Sequence, residues 1–164
     1  MRVYLCGYMS EKCLDECLGW RKKIVTHYNN WKGKEKYPIC WLDPFNGEIA
    51  HNMSGGGLKA DIPANTILHR DYAVIQRADL IVANMSTFGQ DRPPIGTICE
   101  LAWAWQQHKP IIMITDQEWY REHPFMKNFT SWVVGSVEEL LEKKVINHIF
   151  KGFNDVALYN IEEK

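Results

Sequence analysis

Five short apolar runs, separated by helix-like segments, constrain the fold of this chain more than any other feature. The third run, Leu80–Ala83, has no polar residue and no apolar–polar alternation, which is typical of a central parallel strand buried on both faces. The five predicted strands are residues 2–6, 37–42, 80–83, 110–115 and 130–134. Because strands and helices alternate along the chain, the pattern predicts an α/β domain with a five-stranded parallel sheet and helices on both faces.

The segments between these runs carry apolar residues at helical spacing. Helices are predicted from Ser10 to about Trp31, from Ile62 to Arg77, from Gly96 to about His108 and from Ser136 onward, with one short helix within residues 116–129. Ser10 is a plausible N-cap, and Ser136 begins a Ser-x-x-Glu capping-box pattern. Since no repeat or linker interrupts the 164 residues, we predict a single domain spanning 1–164.

Composition and charge argue against several classes of function for this chain. A net charge of −1 argues against a dedicated binder of nucleic acid polymers, which usually carries a basic excess. No apolar run approaches the ~18 residues that span a membrane, and the N-terminus leads directly into a strand rather than a signal peptide. The five cysteines include no CxxC pair, and Cys13 and Cys17 alone make a poor zinc site. We therefore predict reduced, mostly buried thiols in a cytoplasmic protein without a bound metal.

The irregular segment from Asp43 to Asp61 separates the second strand from the second helix. Loops of this length within a compact domain are often lids or binding loops. Its triple glycine, Gly55 to Gly57, lacks the Lys-Ser/Thr ending of a phosphate loop, so a mobile hinge is the favoured interpretation.

Polar and aromatic side chains follow the predicted strands, at the sheet edge where open α/β sheets bind ligands. Glu100 is the most informative of them, because it lies near the start of a helix in a mostly apolar segment. At the start of a helix the dipole favours the ionised form of a carboxyl group. That is the form that a nucleophile in a pocket needs. Thr97-x-x-Glu100 is also a capping-box pattern, and local sequence alone favours that structural role. Asp71, on the second helix, is by the same standard an ordinary exposed helix residue.

Three ordered motifs resemble the nucleoside 2-deoxyribosyltransferase family, which includes related nucleoside and nucleotide N-glycoside hydrolases. They are Tyr4-Leu5-Cys6-Gly7, Arg70-Asp71-Tyr72 leading to Ala78–Ala83, and Gly96-Thr97-Ile98-Cys99-Glu100-Leu101-Ala102-Trp103-Ala104. Asn128–Trp132 resembles the family's segment ahead of its last strand. The resemblance implies a flavodoxin-like, Rossmann-like three-layer sandwich, no metal or organic cofactor, and homo-oligomers with active sites at the subunit interface.

The resemblance also implies roles for individual residues. Glu100 matches the nucleophile that attacks C1′ of the sugar, Tyr4 the tyrosine that positions it, and Asp71 the acid that protonates the departing base. Asp91 matches an aspartate that holds sugar hydroxyls, although Arg92-Pro93-Pro94 lengthens the spacer to Glu100. Asn128 matches an asparagine donated across a subunit interface toward the 5′-OH. Further predicted substrate-binding residues are Gly7, Tyr8, Phe45, Thr130 and Ser131. The aromatic side chains Tyr8, Trp41 and Phe45 would stack a nucleobase.

These roles predict a transferase of nucleoside salvage that moves 2-deoxyribosyl groups between nucleobases by double displacement. The mechanism requires two carboxyl groups whose pKa values are shifted in opposite directions, so that Glu100 is ionised and Asp71 is protonated. The alternative enzyme is an N-glycoside hydrolase of nucleoside 5′-monophosphates, in which Arg92, Ser86 and Ser131 would hold the phosphate. A third hypothesis is a nucleotide-binding sensor without catalysis. All three have small-molecule nucleosides, nucleotides or nucleobases as partners.

Overall fold

The sheet of this protein contains five parallel strands. The structure is a computed structural model that describes residues 1–30, 38–44 and 63–154. The strands are β1 (Arg2–Gly7), β2 (Cys40–Leu42), β3 (Leu80–Asn84), β4 (Ile111–Ile114) and β5 (Trp132–Val134). Their order is β2-β1-β3-β4-β5, with all neighbours parallel. This is the flavodoxin-like order, so the predicted fold class is confirmed.

Helices cover both faces of the sheet, as predicted. They are α1 (Leu14–Asn29), α2 (Ala64–Arg77), α3 (Ile95–Gln106), α4 (Glu118–Glu122), α5 (Pro124–Phe129), α6 (Val137–Glu142) and α7 (Val145–Asn154). Side chains of α1, α6 and α7 pack on one face of the sheet, around Val82 and Ile112. Side chains of α2, α3, α4 and α5 pack on the other, around Ile81 and Met113. Each described face therefore buries its own apolar core.

Several element boundaries differ from the sequence predictions. The single helix predicted from Ser136 is two helices, because the chain turns at Lys144, whose φ is 50°. The segment 116–129 likewise holds two short helices, with Pro124 beginning the second. The predicted caps are present: Ser10 accepts from the Lys12 N–H and Ser136 from the Glu139 N–H.

Some predictions lie outside the described residues. The hinge at Gly55 to Gly57 and the stacking role of Phe45 belong to residues 45–62, which the structure does not describe. Three of the cysteines are buried and Cys40 and Cys99 are exposed, and all five are free thiols as predicted. Among the helices that the structure describes, none is long and apolar enough to cross a bilayer.

Gly7 ends β1 at a point where no side chain fits. A Cβ atom there would lie 2.9 Å from the carbonyl oxygen of Asn84 and 3.1 Å from the Trp20 ring. The first of these contacts is with the backbone of β3, to which Gly7 is paired, and a backbone atom in a sheet moves little. Glycine therefore lets the carboxyl ends of β1 and β3 and the start of α1 come close together.

We expect Gly7→Ala to lower the free energy of unfolding by about 1–3 kcal/mol, the usual cost of overpacking. Gly19→Ala is the matched control, because Gly19 lies in α1 with nothing within 4 Å of its added Cβ. That change should raise stability by about 0.5–1 kcal/mol through helix propensity. Urea unfolding of both variants measures the difference, and equal stabilities would contradict this account of Gly7.

Candidate active site

Two side chains from distant parts of the chain meet at the carboxyl edge of the sheet. The Tyr4 hydroxyl, from β1, donates a 2.6 Å hydrogen bond to Oε1 of Glu100, from α3. Tyr4 is fully buried and Glu100 is 9% exposed. Cys6 lies two residues after Tyr4 and so points to the same face of the sheet, and its thiol lowers the pKa of Glu100. The Tyr4 hydroxyl thus holds the carboxyl group of Glu100, with Cys6 beside it on the same strand.

The interpretation of Glu100 as a helix cap is wrong. Helix α3 begins at Ile95, with Pro94 as its N-cap and no side-chain capping hydrogen bond. Glu100 is therefore the sixth helical residue, beyond the first turn whose N–H groups need capping. Thr97, the other residue of the capping-box pattern, is buried and lines the same pocket as Glu100.

Burial dominates the electrostatics of Glu100. Loss of solvent raises the pKa of Glu100 to about 7, against an ordinary value of 4.5. The hydrogen bond from Tyr4 opposes this rise, the nearby Asp71 adds to it, and the charge of Arg21 and the Cys6 thiol lower the pKa. The helix dipole expected to keep Glu100 ionised is thus outweighed by desolvation.

Asp71 lies on α2, 8% exposed, beside the same pocket. Burial raises its pKa, while the charge and hydrogen bonds of Arg70 oppose the rise. Both Arg70 contacts, from Nε and Nη2, go to Oδ1 of Asp71 at 3.1 Å. The surface role considered for Asp71 is wrong, since the carboxyl group is buried. The expected shift of the two pKa values in opposite directions is also wrong, because the pKa values of Glu100 and Asp71 are both raised.

Two cavities meet at Asp71. The first has a volume of about 290 Å³ and contains Glu100, and the second has a volume of about 240 Å³ and contains Tyr4. The first is lined by Gly7, Tyr8, Met9, Pro44, Ile67, Asp71, Arg92, Pro93, Pro94, Ile95, Gly96, Thr97 and Glu100. The second is lined by Tyr4, Trp41, Leu42, Asp43, Pro44, Arg70, Asp71 and Val74. Asp71 and Pro44 belong to both linings, so the cavities are adjacent lobes of one site.

The structure places Gly7 and Tyr8 in this site but not Asp91. Asp91 is exposed in the loop before α3, and among the described residues it does not line either cavity. Its neighbour Arg92 lines the first cavity instead, with its guanidinium 6.0 Å from the Tyr8 ring. The residues inserted before Glu100 thus bring a cation, rather than a carboxylate, to the pocket.

Asn128, Thr130 and Ser131 lie at the opposite edge of the sheet. Ser131 exchanges hydrogen bonds with Ile111, the first residue of β4, through its backbone N–H and its side-chain oxygen. The Thr130 hydroxyl donates to the carbonyl of Met126. Within one protomer, the expectation that Ser131 shares a phosphate site with Ser86 and Arg92 is therefore wrong, and Thr130 lines neither cavity among the described residues.

Asn128 is exposed, and its side-chain amide donates to the carbonyl of Pro124. Its predicted contribution to the site of another subunit stays a prediction. Within residues 1–30, 38–44 and 63–154, no group of three or more His, Cys, Asp or Glu side chains is arranged to hold a metal ion.

Sequence reasoning missed Arg21, which is 1% exposed and lies behind the pocket. It pairs with Asp43, with 3.3 Å between Nε and Oδ1, and donates to the carbonyl of Gly7. A signal was present in the sequence. Arg21 shares the buried face of α1 with Cys17, Trp20 and Ile24, and a charged residue at such a position is rarely buried without a partner.

The raised pKa of Glu100 predicts that the stability of the protein depends on pH. Between about pH 4.5 and about pH 7 the folded protein holds a proton on Glu100 that the unfolded chain has released, so the free energy of unfolding falls as pH rises through this window. Glu100→Gln removes the free-energy cost of ionising this buried carboxyl group. We expect it to be more stable than the wild type at pH 8, by an amount on the order of 3 kcal/mol, and to have little advantage at pH 4.5.

Denaturant unfolding at both pH values measures this effect. Glu142→Gln, at an exposed position of α6, is the control and should follow the wild type at each pH. A Glu100→Gln protein whose stability advantage does not grow with pH would show that Glu100 titrates as an ordinary carboxyl group.

Comparisons with known proteins agree with this geometry. The sequence matches the family described as nucleoside 2-deoxyribosyltransferase over residues 3–145, and no curated protein sequence gave a match. The fold is similar to that of a conserved protein from Enterococcus faecalis V583, with 16% identity, a TM-score of 0.60, and coverage of 90% of this chain and 98% of that one. It is also similar to a Clostridium botulinum CMP N-glycosidase, with 16% identity, a TM-score of 0.53, and coverage of 89% and 99%.

A 2-desoxiribosyltransferase from Leishmania mexicana also matches, with 21% identity, a TM-score of 0.49, and coverage of 71% of this chain and 65% of that one. The first two similarities support the flavodoxin-like fold found here. The family match extends from β1 to the first residue of α7 and includes Tyr4, Asp71 and Glu100. This chain belongs to the nucleoside 2-deoxyribosyltransferase family.

Proposed function

We propose that this protein is a nucleoside 2-deoxyribosyltransferase that moves a 2-deoxyribosyl group between nucleobases through a covalent intermediate on Glu100. The observation that carries the proposal is the 2.6 Å hydrogen bond from Tyr4 to Glu100, beside a pocket that also contains Asp71. A buried carboxyl group held by a tyrosine and adjacent to a second acid has the parts that a retaining N-glycoside cleavage needs.

Glu100 is the nucleophile in this proposal. Its carboxylate attacks C1′ as the glycosidic bond breaks, and it first stabilises and then captures the oxocarbenium-like sugar. Tyr4 binds Oε1 and so fixes the plane of the carboxylate. With a pKa of about 7, Glu100 is ionised in a substantial fraction of molecules at neutral pH. The second base then attacks C1′ from the opposite side and releases Glu100.

Asp71 is the acid that protonates the departing base. Its raised pKa keeps a proton on the carboxyl group at a higher pH than usual, and its position between the two cavities supports this role. A nucleoside that spans the two lobes would have its glycosidic bond beside Asp71 and its sugar in the lobe that contains Glu100. In the second half of the reaction Asp71 accepts the proton of the incoming base.

One observation favours a second function, hydrolysis of nucleoside 5′-monophosphates. Arg92 lines the cavity that contains Glu100, where a guanidinium would bind a 5′-phosphate. The covalent step is the same, and water rather than a base then takes the sugar. The third hypothesis, a sensor without catalysis, is disfavoured because two buried carboxyl groups with raised pKa values cost stability that binding alone does not require.

The decisive assay supplies a 2′-deoxynucleoside together with a second free base. We expect a new nucleoside to form, and we expect Glu100→Gln to lower kcat by about 10⁴-fold or more because the nucleophile is lost. Glu142→Gln is the control and should retain wild-type activity. Chromatography of nucleosides, bases and free sugar measures all products.

A parallel reaction supplies a 5′-monophosphate. Release of sugar phosphate there, with no new nucleoside in the first assay, would replace the transferase proposal by the hydrolase. Unchanged turnover by Glu100→Gln would remove Glu100 from the mechanism in either case.

Asp71→Asn tests the acid. We expect kcat/KM for ordinary nucleosides to fall by about 10²–10⁴-fold, since the departing base then leaves unprotonated. A deoxyriboside whose leaving group needs no protonation, such as a nitrophenolate, should lose far less. Asp116→Asn, at an exposed position, serves as the matched control. Equal losses for both leaving groups would show that Asp71 acts otherwise than as a general acid.

We also propose that the enzyme works as a cytoplasmic homo-oligomer. Asn128 is exposed at the edge of the sheet opposite the pocket, so the amide that the family resemblance assigns to the 5′-OH has to come from a neighbouring subunit.

A further inference from the structure

We propose that Arg21 is a positioning residue of this active site, whose buried guanidinium ties together the three segments behind the pocket and holds a positive charge near Glu100. The inference rests on the function proposed above, because it assigns Arg21 to the same reaction. Arg21 lines neither cavity among the described residues, so it acts through the groups that it binds.

The guanidinium of Arg21 contacts three separate parts of the chain. Nη1 donates to the carbonyl of Cys17 in α1, and Nη2 donates to the carbonyl of Gly7 at the end of β1, at 3.4 Å. Nε lies 3.3 Å from Oδ1 of Asp43, in the segment after β2. The planar fork of arginine offers five N–H donors in fixed directions. A lysine at this position has no comparable geometry.

These contacts bring the guanidinium from one face of the sheet to its carboxyl edge. Helix α1 packs with Trp20 and Ile24 on one face, whereas Glu100 belongs to α3, which packs with Leu101 on the other. Arg21 reaches the carboxyl edge between them at Gly7. Gly7 lines the cavity of Glu100, and Asp43 lines the adjacent cavity. Arg21 therefore fixes a wall of each lobe.

Packing alone does not account for an arginine here. Its neighbours on the buried face of α1 are Cys17, Trp20, Ile24 and Tyr28, and Trp20 lies under the guanidinium at 4.4 Å. Removing a charge from water is costly, and an apolar side chain of similar volume is often as stable or more stable at such a site. A charge retained at this position, with the pocket on its far side, points to a role in that pocket.

The charge of Arg21 acts on Glu100. The groups that shift the pKa of Glu100 are Tyr4 and Cys6 from β1, Asp71 from α2 and Arg21 from α1, and Arg92 also lines the cavity that contains Glu100. Burial and Asp71 raise the pKa of Glu100, and Tyr4, Arg21 and Cys6 lower it. Arg21 is thus the positive charge among the groups that shift this pKa, and it favours the ionised nucleophile.

Arg21 is itself surrounded by Asp43, Cys6, Cys17 and Glu100. Removal of the Arg21 charge should raise the pKa of Glu100. Removal of the neutralising Asp43 charge should lower it.

The experiment compares Arg21→Met and Arg21→Lys with the wild type. Arg2→Met is the control, because Arg2 forms an exposed pair with Asp79 at the far end of β1. The pKa of Glu100 is read by NMR titration of ¹³C-labelled glutamate, with Glu100→Gln assigning the signal, and kcat and KM are measured across pH. The titration needs no substrate, so it decides the role of Arg21 even if wild-type protein proves inactive and the proposed function fails.

For Arg21→Met we expect the Glu100 titration and the acidic limb of kcat to move to higher pH. We also expect kcat to fall by about 10- to 100-fold, as for a small displacement of reacting groups, with a smaller change in KM. In Arg21→Lys we expect the wild-type pKa of Glu100, because lysine keeps the positive charge. We expect kcat to stay low, because lysine lacks the planar set of N–H donors that arginine has. Arg2→Met should change neither.

A folded Arg21→Met protein with the wild-type Glu100 titration and the wild-type kcat would overturn the inference. If Arg21→Met does not fold, Arg21→Lys and Asp43→Asn decide instead. Asp43→Asn should move the Glu100 titration to lower pH, opposite to the effect of losing Arg21. Wild-type titration in Asp43→Asn together with wild-type kcat in Arg21→Lys would also overturn it.

Discussion

The buried hydrogen bond between Tyr4 and Glu100 is the interaction on which the rest of the site depends. A carboxyl group that is 9% exposed loses most of its hydration, and an unpaired polar group in that environment destabilises the fold. Tyr4 is supplied by β1, an interior strand of the sheet, and Glu100 by a helix packed on the same face. Sheet order and helix packing together place the two partners, which are 96 residues apart in the sequence.

That separation explains what sequence could and could not predict. The parallel sheet was predictable, because runs such as Leu80–Ala83 and the strand–helix alternation are local signals. Local sequence could not show that Glu100 is not a helix cap, because its partner Tyr4 is 96 residues away and Thr97-x-x-Glu100 is a capping-box pattern. The structure excludes the capping interpretation, because α3 begins at Ile95. Sequence patterns place a helix boundary only to within one or two residues, so they could not exclude it.

Topology also explains why family positions transfer unevenly to this chain. The pocket of Tyr4 and Glu100 lies toward the carboxyl edge of the sheet, with Tyr4 in β1 and Glu100 in the second turn of the helix after β3. Ser131 immediately precedes a parallel strand and so lies at the amino edge, hydrogen-bonded to the first residue of β4. A residue in that place reaches a pocket at the carboxyl edge only in another subunit. At the pocket itself, Arg92 rather than Asp91 lines the cavity of Glu100.

The electrostatic balance at Glu100 suits a nucleophile that alternates between charged and neutral forms. In the proposed reaction the carboxylate becomes a neutral glycosyl ester and is then released as a carboxylate. Desolvation favours the neutral ester, and it is also what raises the pKa of the free acid to about 7. Unopposed, the same burial would leave the nucleophile protonated at neutral pH. Tyr4 and Arg21 oppose it, one by a hydrogen bond and the other by charge, and so keep enough carboxylate to react without restoring the solvent that would stabilise it too strongly.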